Sequence, residues 1–515
     1  LIEILININF IIFFYFYKKN IHQKISLSFS FKKSEVFFFF GLLLLLIILS
    51  FSELMTPIFG DEIAPTRRAT RTAYFSSLIV IDILDINYLK TVPIKYIIQI
   101  FNLIQIFFII AIFYLLKKKT NIFSLILILS ITFLLRLIIK DGVHHPPLNH
   151  FFSTTFISFF GINHFVVRLA YLVPFWIFLV FLFKLIREHF DETLSKIFIL
   201  SISTFPLLLL ASVTPDHSLW SCLVFTYLLF YCVLTKDIDY RFCIIIISIG
   251  ILFRITIFTG FILIGLSFFV DFLNKRFLLK DKIIYLLNEQ KIYIIFLVFL
   301  PLLIISSSGT PAFEGVENSN PINNLIEAIK SKVFINSLIK QIPFWYYIFI
   351  FFVLFSRRKF EIICFFLFNL IIYFSISSYL WGLAKYVLEY GVPFFLIGSL
   401  IFTKILVDRK KKILACLINI FIIFFNIYDY YKFPNSNISA DLINEKGILL
   451  LNNNRNKNTK YILKTPYAYD DAFFYITSQN FQNNTLMLGT TYGFMPQIIE
   501  GYNYHELINA IKLRN

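Results

Sequence analysis

The feature that most constrains this chain is its series of apolar runs, each near twenty residues long and each edged by basic residues. Twenty apolar residues in helical form span the hydrocarbon core of a bilayer. Phe, Ile and Leu dominate these runs, as in 36–54, 122–139 and 413–428. Lipid offers no partner for a free backbone N–H or C=O, so a chain of this kind folds as helices that satisfy their own backbone. The composition agrees: 58% of the 515 residues are hydrophobic, only 15% are charged, and the mean hydropathy is +0.78. A soluble domain carries roughly 25% charged residues. The reading is an all-α polytopic membrane protein with about a dozen transmembrane helices.

The net charge of +17 does not point to nucleic acid, because of where the charge lies. Basic clusters at Lys18-Lys19, Lys32-Lys33, Lys117-Lys118-Lys119, Lys275-Arg276, Arg357-Arg358-Lys359 and Arg409-Lys410-Lys411-Lys412 each border an apolar run. This is the positive-inside pattern, and it assigns these loops to the cytoplasm. Three parts follow: a cytoplasmic N-terminal segment over 1–35, a transmembrane domain over 36–430, and an extracytoplasmic domain over 431–515. In the last part Asn, Tyr, Asp and Lys replace the aliphatic runs. Short apolar pieces such as Tyr461-Ile462-Leu463 and Leu486-Met487-Leu488 predict strands of a small α/β domain. The five cysteines, Cys222, Cys232, Cys243, Cys364 and Cys416, all sit in apolar runs and read as small buried hydrophobes.

The spans alternate through these loops and place four polar groups on one outer face. They are Gly60-Asp61-Glu62; Asp141 to His150, which includes His144-His145-Pro146-Pro147; Thr214-Pro215-Asp216-His217; and Lys385-Tyr386. The Pro-Pro pair stiffens its loop and stops the helix before it. The stretch 149–168, interrupted by Gly161-Ile162-Asn163-His164, reads as a helix lying at the outer interface, with the next span at 169–186. Spans at 242–256 and 257–270 are joined by a short turn around Thr259-Gly260. Arg254 stands beside that turn in an apolar stretch, where a lone cation needs an anion or a membrane boundary. Acids and cations on one face suit transfer from an anionic lipid-linked donor: a carboxylate takes a proton from the acceptor, and cations balance the phosphate leaving group. Arg168, Lys385 and Arg254 are the candidate phosphate cations, arginine being favoured for two-point contact.

The order of these motifs resembles the GT-C glycosyltransferases of the protein O-mannosyltransferase and aminoarabinose-transferase type. The resemblance rests on Gly60-Asp61-Glu62 after the first span, His145-Pro146-Pro147-Leu148, Phe160-Gly161 through Phe165 to Arg168-Leu169, Thr214-Pro215-Asp216, and Lys385-Tyr386 followed by Pro393. It covers roughly residues 36–430. It implies an enzyme that takes a sugar from a polyprenyl phosphate on the extracytoplasmic face, in a bacterial inner membrane, and gives it to a lipid, glycan or protein acceptor. It makes Asp61, with Glu62 beside it, the acid/base group and Asp216 a supporting acid. His144, His145, Arg168, His217, Arg254, Lys385 and Tyr386 then bind substrate. Where some relatives have Lys before Pro-Pro, this chain has His145. A divalent metal serves some members of the family and not others. His144 could be its ligand here, although no tight ligand spacing accompanies it. Two apolar runs separate Asp61 from His145, an insertion relative to the family's closer spacing, so Asp141 stays as the alternative acid.

Two other classes fit a protein that handles lipid-linked sugar. A transporter or flippase predicts internal repeats and broken midplane helices, and no repeat is visible. An O-antigen polymerase or ligase predicts a long outer loop with paired arginines, whereas 307–343 carries lysines and no arginine. The topology yields a direct expectation. His145→Cys and Leu450→Cys should both react with a membrane-impermeant maleimide added outside intact cells. Labelling seen only after permeabilisation would invert the arrangement.

Overall fold

In the computed structural model the described residues are mainly 31–55, 87–93, 164–215, almost all of 218–274, 321–330, 341–376 and 386–432, with strands at 461–465, 485–489 and 493–496. The helices are α1 Lys33–Leu49, α2 Phe51–Met55, α3 Asn87–Thr91, α4 His164–Arg187, α5 Glu192–Ser203, α6 Pro206–Val213, α7 Ser218–Leu234, α8 Tyr240–Ile251, α9 Gly260–Asn274, α10 Pro321–Lys330, α11 Tyr346–Ile350, α12 Lys359–Ile376, α13 Val392–Asp408 and α14 Lys412–Tyr430. A 3₁₀ turn, Ile255–Thr259, joins α8 to α9; another, Phe351–Phe355, extends α11; a π-helical turn, Val387–Gly391, leads into α13. Among the described residues three helices are long and apolar enough to cross a membrane: Phe165–Arg187, Val387–Asp408 and Lys412–Tyr430. The bent pair α5–α6 makes a fourth if counted as one span. These helices mark an integral membrane protein. The apolar run 122–139 lies outside the described residues, as do 292–306 and most of 97–116.

α1 shows how lipid and core divide a helix. Phe39, Leu42, Leu46 and Leu49 are buried, while Phe37, Phe40, Leu44 and Ile48 are exposed. Both sets recur at helical spacing, yet both are apolar, so the outer one is a face for lipid rather than water. The buried side meets α4, where Phe39 sets its ring edge-on to Phe183 and the Trp176 indole N–H donates to the Phe39 carbonyl at 2.8 Å. α4, α5, α7 and α13 supply the centre of the core, including Phe175, Leu179, Phe198, Phe225 and Leu400, all fully buried.

The charged ends sort as the basic clusters predict. At one end of the bundle Lys32 pairs with Glu192 (3.1 Å), Lys412 with Asp191 (2.9 Å), Arg187 with Glu35, and Arg358 with Asp271 (3.2 Å) and Glu361 (3.1 Å). These residues begin or end α1, α4, α5, α9, α12 and α14, so successive helices return to a common basic end. Asp191 also caps α5, accepting from the Thr193 and Leu194 amides at 3.1 Å. Partial burial works to raise its pKa, but the Lys412 ammonium and these amides outweigh that and hold the carboxyl below its ordinary value.

The α5–α6 break has a local cause. Pro206 lacks an N–H and cannot continue α5, so the axis turns by 68°. The Phe205 amide bonds the Ile202 carbonyl instead of the Ser201 carbonyl. Asn426 of α14 supplies the missing donor to Ser201 O at 3.0 Å, and it also reaches the Tyr346 hydroxyl at 3.1 Å. Asn419, two turns earlier on the same face of α14, donates to Thr403 of α13 (3.2 Å) and accepts from Ser201 of α5 (3.2 Å).

Three expectations shift. The expected interfacial helix over 149–168 gives way at its end. α4 begins at His164, and Val166, Val167 and Arg168 are buried in the bundle, because its first two turns present small and apolar side chains to the core. Likewise 386–392, which follows the Lys385-Tyr386 pair expected at the outer face, is buried helix continuous with α13, since Val387, Leu388, Tyr390 and Val392 pack inward. The loop expected over 307–343 contains α10, whose Asn324 amide donates to the Ser375 carbonyl at 3.1 Å. In the C-terminal part, Tyr461–Thr465 runs parallel to Thr485–Gly489, which pairs antiparallel with Gly493–Pro496. Both apolar pieces singled out in the sequence lie in these strands.

α13 approaches α11 so closely that only glycine fits between them. A Cβ on Gly398 would lie 2.5 Å from the Phe349 carbonyl oxygen. Gly398→Ala should therefore cost on the order of 1–3 kcal/mol, read as a lowered unfolding temperature in detergent. Gly265→Ala, where nothing lies within 4 Å, is the control and should unfold like the natural protein.

Candidate functional site

Opposite the basic end, six helix ends converge: the start of α4, the end of α6, the start of α7, the α8–α9 connection and the π turn before α13. Each is tied to a neighbour by a polar side chain. Arg168, in the second turn of α4, donates from Nη1 to the Val213 carbonyl at 2.9 Å. Val213 ends α6, and the last carbonyls of a helix lack intrahelical partners and carry its negative pole, so a guanidinium suits them on both counts. Arg168 is only 3% exposed. Val213 leads directly into Thr214-Pro215-Asp216-His217, so this contact fixes the approach to that motif.

The α8–α9 connection is the second anchor. Arg254 has extended backbone there (φ −153°, ψ 128°), just before the 3₁₀ turn. The turn folds back on α8 because Gly250 has no side chain; a Cβ there would stand 2.8 Å from Ile257 Cγ2. Thr256 shares a 2.7 Å hydrogen bond with Ser221 in the first turn of α7. Thr259 shares one of 3.1 Å with the Tyr390 hydroxyl. Arg254 Nη2 donates to Glu389 Oε1 in an ion pair. The anion that this cation needs is therefore Glu389, in the π turn. Around the pair, Trp220 and Phe253 pack at 4.7 Å between ring centroids, and Phe225 stacks on Tyr390 at 5.0 Å.

Tyr386 is fully buried. Its ring stacks on Tyr390 at 4.9 Å, and its hydroxyl donates to the Phe366 carbonyl at 2.9 Å. It thus supports the π turn from α12. Of the expected site residues, the structure places Arg168, Arg254 and Tyr386 at this end of the bundle. Asp61, Glu62, Asp141, His144, His145, Asp216, His217 and Lys385 lie outside the described residues. Among the described residues no group of three His, Cys, Asp or Glu side chains could hold a metal. All five cysteines are free thiols, three of them buried.

Sequence reasoning missed Glu389. Its signal was available: a lone carboxylate inside Tyr386-Val387-Leu388-Glu389-Tyr390, where an ionisable group is costly and tends to be retained for function.

The fold and this convergence define a polytopic helical membrane protein with a polar site among helix ends. Residues 144–305 match the family model described as dolichyl-phosphate-mannose-protein mannosyltransferase. The matched stretch begins at His144 and takes in the His-Pro-Pro loop, Arg168, Asp216, His217 and Arg254, so over these residues the chain is similar to that family. Among solved structures, the crystal structure of ArnT from Cupriavidus metallidurans in the apo state aligns with a TM-score of 0.45 at 10% identity, covering 89% of this chain and 87% of that one. No curated protein matches the chain.

Arg168→Leu should leave the Val213 carbonyl without this donor and cost about 1.5–3 kcal/mol, the range for hydrogen bonds to charged groups. The measurement is the unfolding midpoint of purified protein. An unchanged midpoint would mean that the α4–α6 contact contributes nothing to stability.

Proposed function

We propose that this protein is a membrane glycosyltransferase that moves a sugar from a polyprenyl-phosphate donor to a lipid, glycan or protein acceptor on the extracytoplasmic face. The observation that carries the reading is the mannosyltransferase family match over 144–305. It falls on the stretch where the His-Pro-Pro loop, Arg168, Asp216 and Arg254 follow one another. In this reading residues 36–430 form the transferase domain and 431–515 an extracytoplasmic domain.

The chemistry then runs as follows. Asp61 takes the proton of the acceptor hydroxyl or amine as that atom attacks the anomeric carbon. The bond from that carbon to the phosphate oxygen breaks, and the polyprenyl phosphate leaves with the electron pair. Glu62 stands beside the base, and Asp216 orients the acceptor or Asp61. Arg254 and Lys385, with His144, His145 and His217, balance the charge that grows on the phosphate. Arg168 acts on the donor side through its hold on Val213, three residues before Asp216. Tyr386 supports the π turn beneath the donor phosphate.

Asp61→Asn should abolish transfer while leaving the protein inserted, because an amide of nearly the same shape cannot accept the proton; loss of a general base costs roughly 10²–10⁴-fold. Asp216→Asn should be milder, and Asp141→Asn should stay active. The assay is transfer of labelled sugar from polyprenyl phosphate in membranes, with expression checked for each variant. An active Asp61→Asn beside a dead Asp141→Asn would move the base to the His-Pro-Pro loop.

A further inference from the structure

Glu389 is the described carboxylate most deeply set at the polar end, and stability alone accounts for it poorly. It is fully buried, and its Oε2 has no hydrogen-bond partner among the described residues. A buried ion pair is weak evidence for stability, since an apolar pair of similar volume is often as good or better. A half-satisfied buried carboxylate is worse still. The pair is also asymmetric. The Arg254 side chain keeps 14% of its surface exposed and Glu389 keeps none, so the carboxylate is the inner member and the guanidinium the outer one. The backbone around each partner is equally specialised. Arg254 sits in an extended residue between helices, whose turn is held by Ser221 and by Tyr390. Glu389 sits in a π-helical turn, a rare form that often occurs at functional sites.

We propose that Glu389 is a positioning residue: from the π turn it holds the Arg254 guanidinium in place to receive the phosphate of a lipid-linked donor. This rests on the donor reading given above. The carboxylate fixes one edge of the planar fork, and with it the direction in which the other donors of the guanidinium point. An arginine on a long, otherwise free stem loses rotamer freedom when it binds phosphate. One already held by Glu389 has lost much of it beforehand, which raises phosphate affinity through preorganisation.

The test measures binding of a polyprenyl phosphate and of the polyprenol of the same chain length to the full-length protein in detergent micelles, with the unfolding midpoint of each variant recorded. The natural protein should prefer the phosphate. Arg254→Ala should lose that preference. Glu389→Ala should reduce it about tenfold, the scale of one charge-assisted hydrogen bond. Glu389→Asp, which keeps the charge but draws it back by one methylene, should fall nearly as far. Glu389→Gln, which keeps an acceptor at the same reach, should recover most of it. In an Arg254→Ala background, Glu389→Ala should have no further effect, because its action runs through Arg254. A purely structural Glu389 would lower the midpoints and leave the phosphate preference of the folded variants intact. Folded Asp and Ala variants with the natural preference, or losses that add in the double variant, overturn the assignment while the donor reading stands. If Glu389→Ala does not fold, the Asp and Gln variants carry the comparison alone. A natural protein that shows no preference for phosphate over polyprenol removes the donor reading and this inference together.

Discussion

Backbone hydrogen bonds govern this structure, because a bilayer offers no water to replace a lost one. Continuous helix solves the problem along most of the chain. Where the chain departs from continuous helix, the departure needs its own solution, and among the described residues polar side chains supply it. Asn426 takes the Ser201 carbonyl that the α5–α6 break releases. Arg168 takes the carbonyl at the end of α6. Ser221 steadies the 3₁₀ turn between α8 and α9, and the Tyr386 hydroxyl, donating to α12, supports the π turn. Several of the buried polar side chains therefore mark places where the backbone is interrupted.

The same bookkeeping separates the two ends. At the basic end, acids and bases pair with each other: Asp191 with Lys412, Glu192 with Lys32 and Lys196, Asp271 with Arg358. These contacts cluster helix ends without opening the backbone. Among the described residues at the opposite end, Arg168 donates to a carbonyl and Arg254 to a buried carboxylate, and the backbone is broken at several points. Irregular backbone at membrane depth is tolerated where it is buried in protein or lines a cavity. One end thus has the character of a clamp and the other that of a site.

This division explains what the sequence made legible. Apolar runs and basic clusters located the helix boundaries near Arg187, Asp408 and Lys412, because lipid and charge act on composition directly. Thr259-Gly260 marked the α8–α9 turn because a turn needs small residues, and Tyr461 and Leu486 marked strands by β-forming composition. What stayed hidden depended on packing. Nothing in composition tells whether 164–168 lies on the interface or enters the bundle; that is decided by Val166 and Val167 finding a core. Nor does composition tell that 386–392 continues α13, since the aromatic side chains that bury it come from α7 and α12. The partner of Arg254 lies 135 residues away in the chain, a separation that local pattern does not cross.

The two described arginines at the polar end differ in what they can still do. Arg168 is nearly buried, and its Nη1 donates to the Val213 carbonyl. Arg254 is neutralised by Glu389 but keeps the more exposed side chain. The carboxylate lowers the net charge that an incoming anion meets, but it also fixes the guanidinium, so the rotamer freedom of a long side chain is already lost before anything binds. On the donor reading proposed above, the second effect outweighs the first, and the pair recognises a phosphate by the geometry of its planar fork rather than by charge alone.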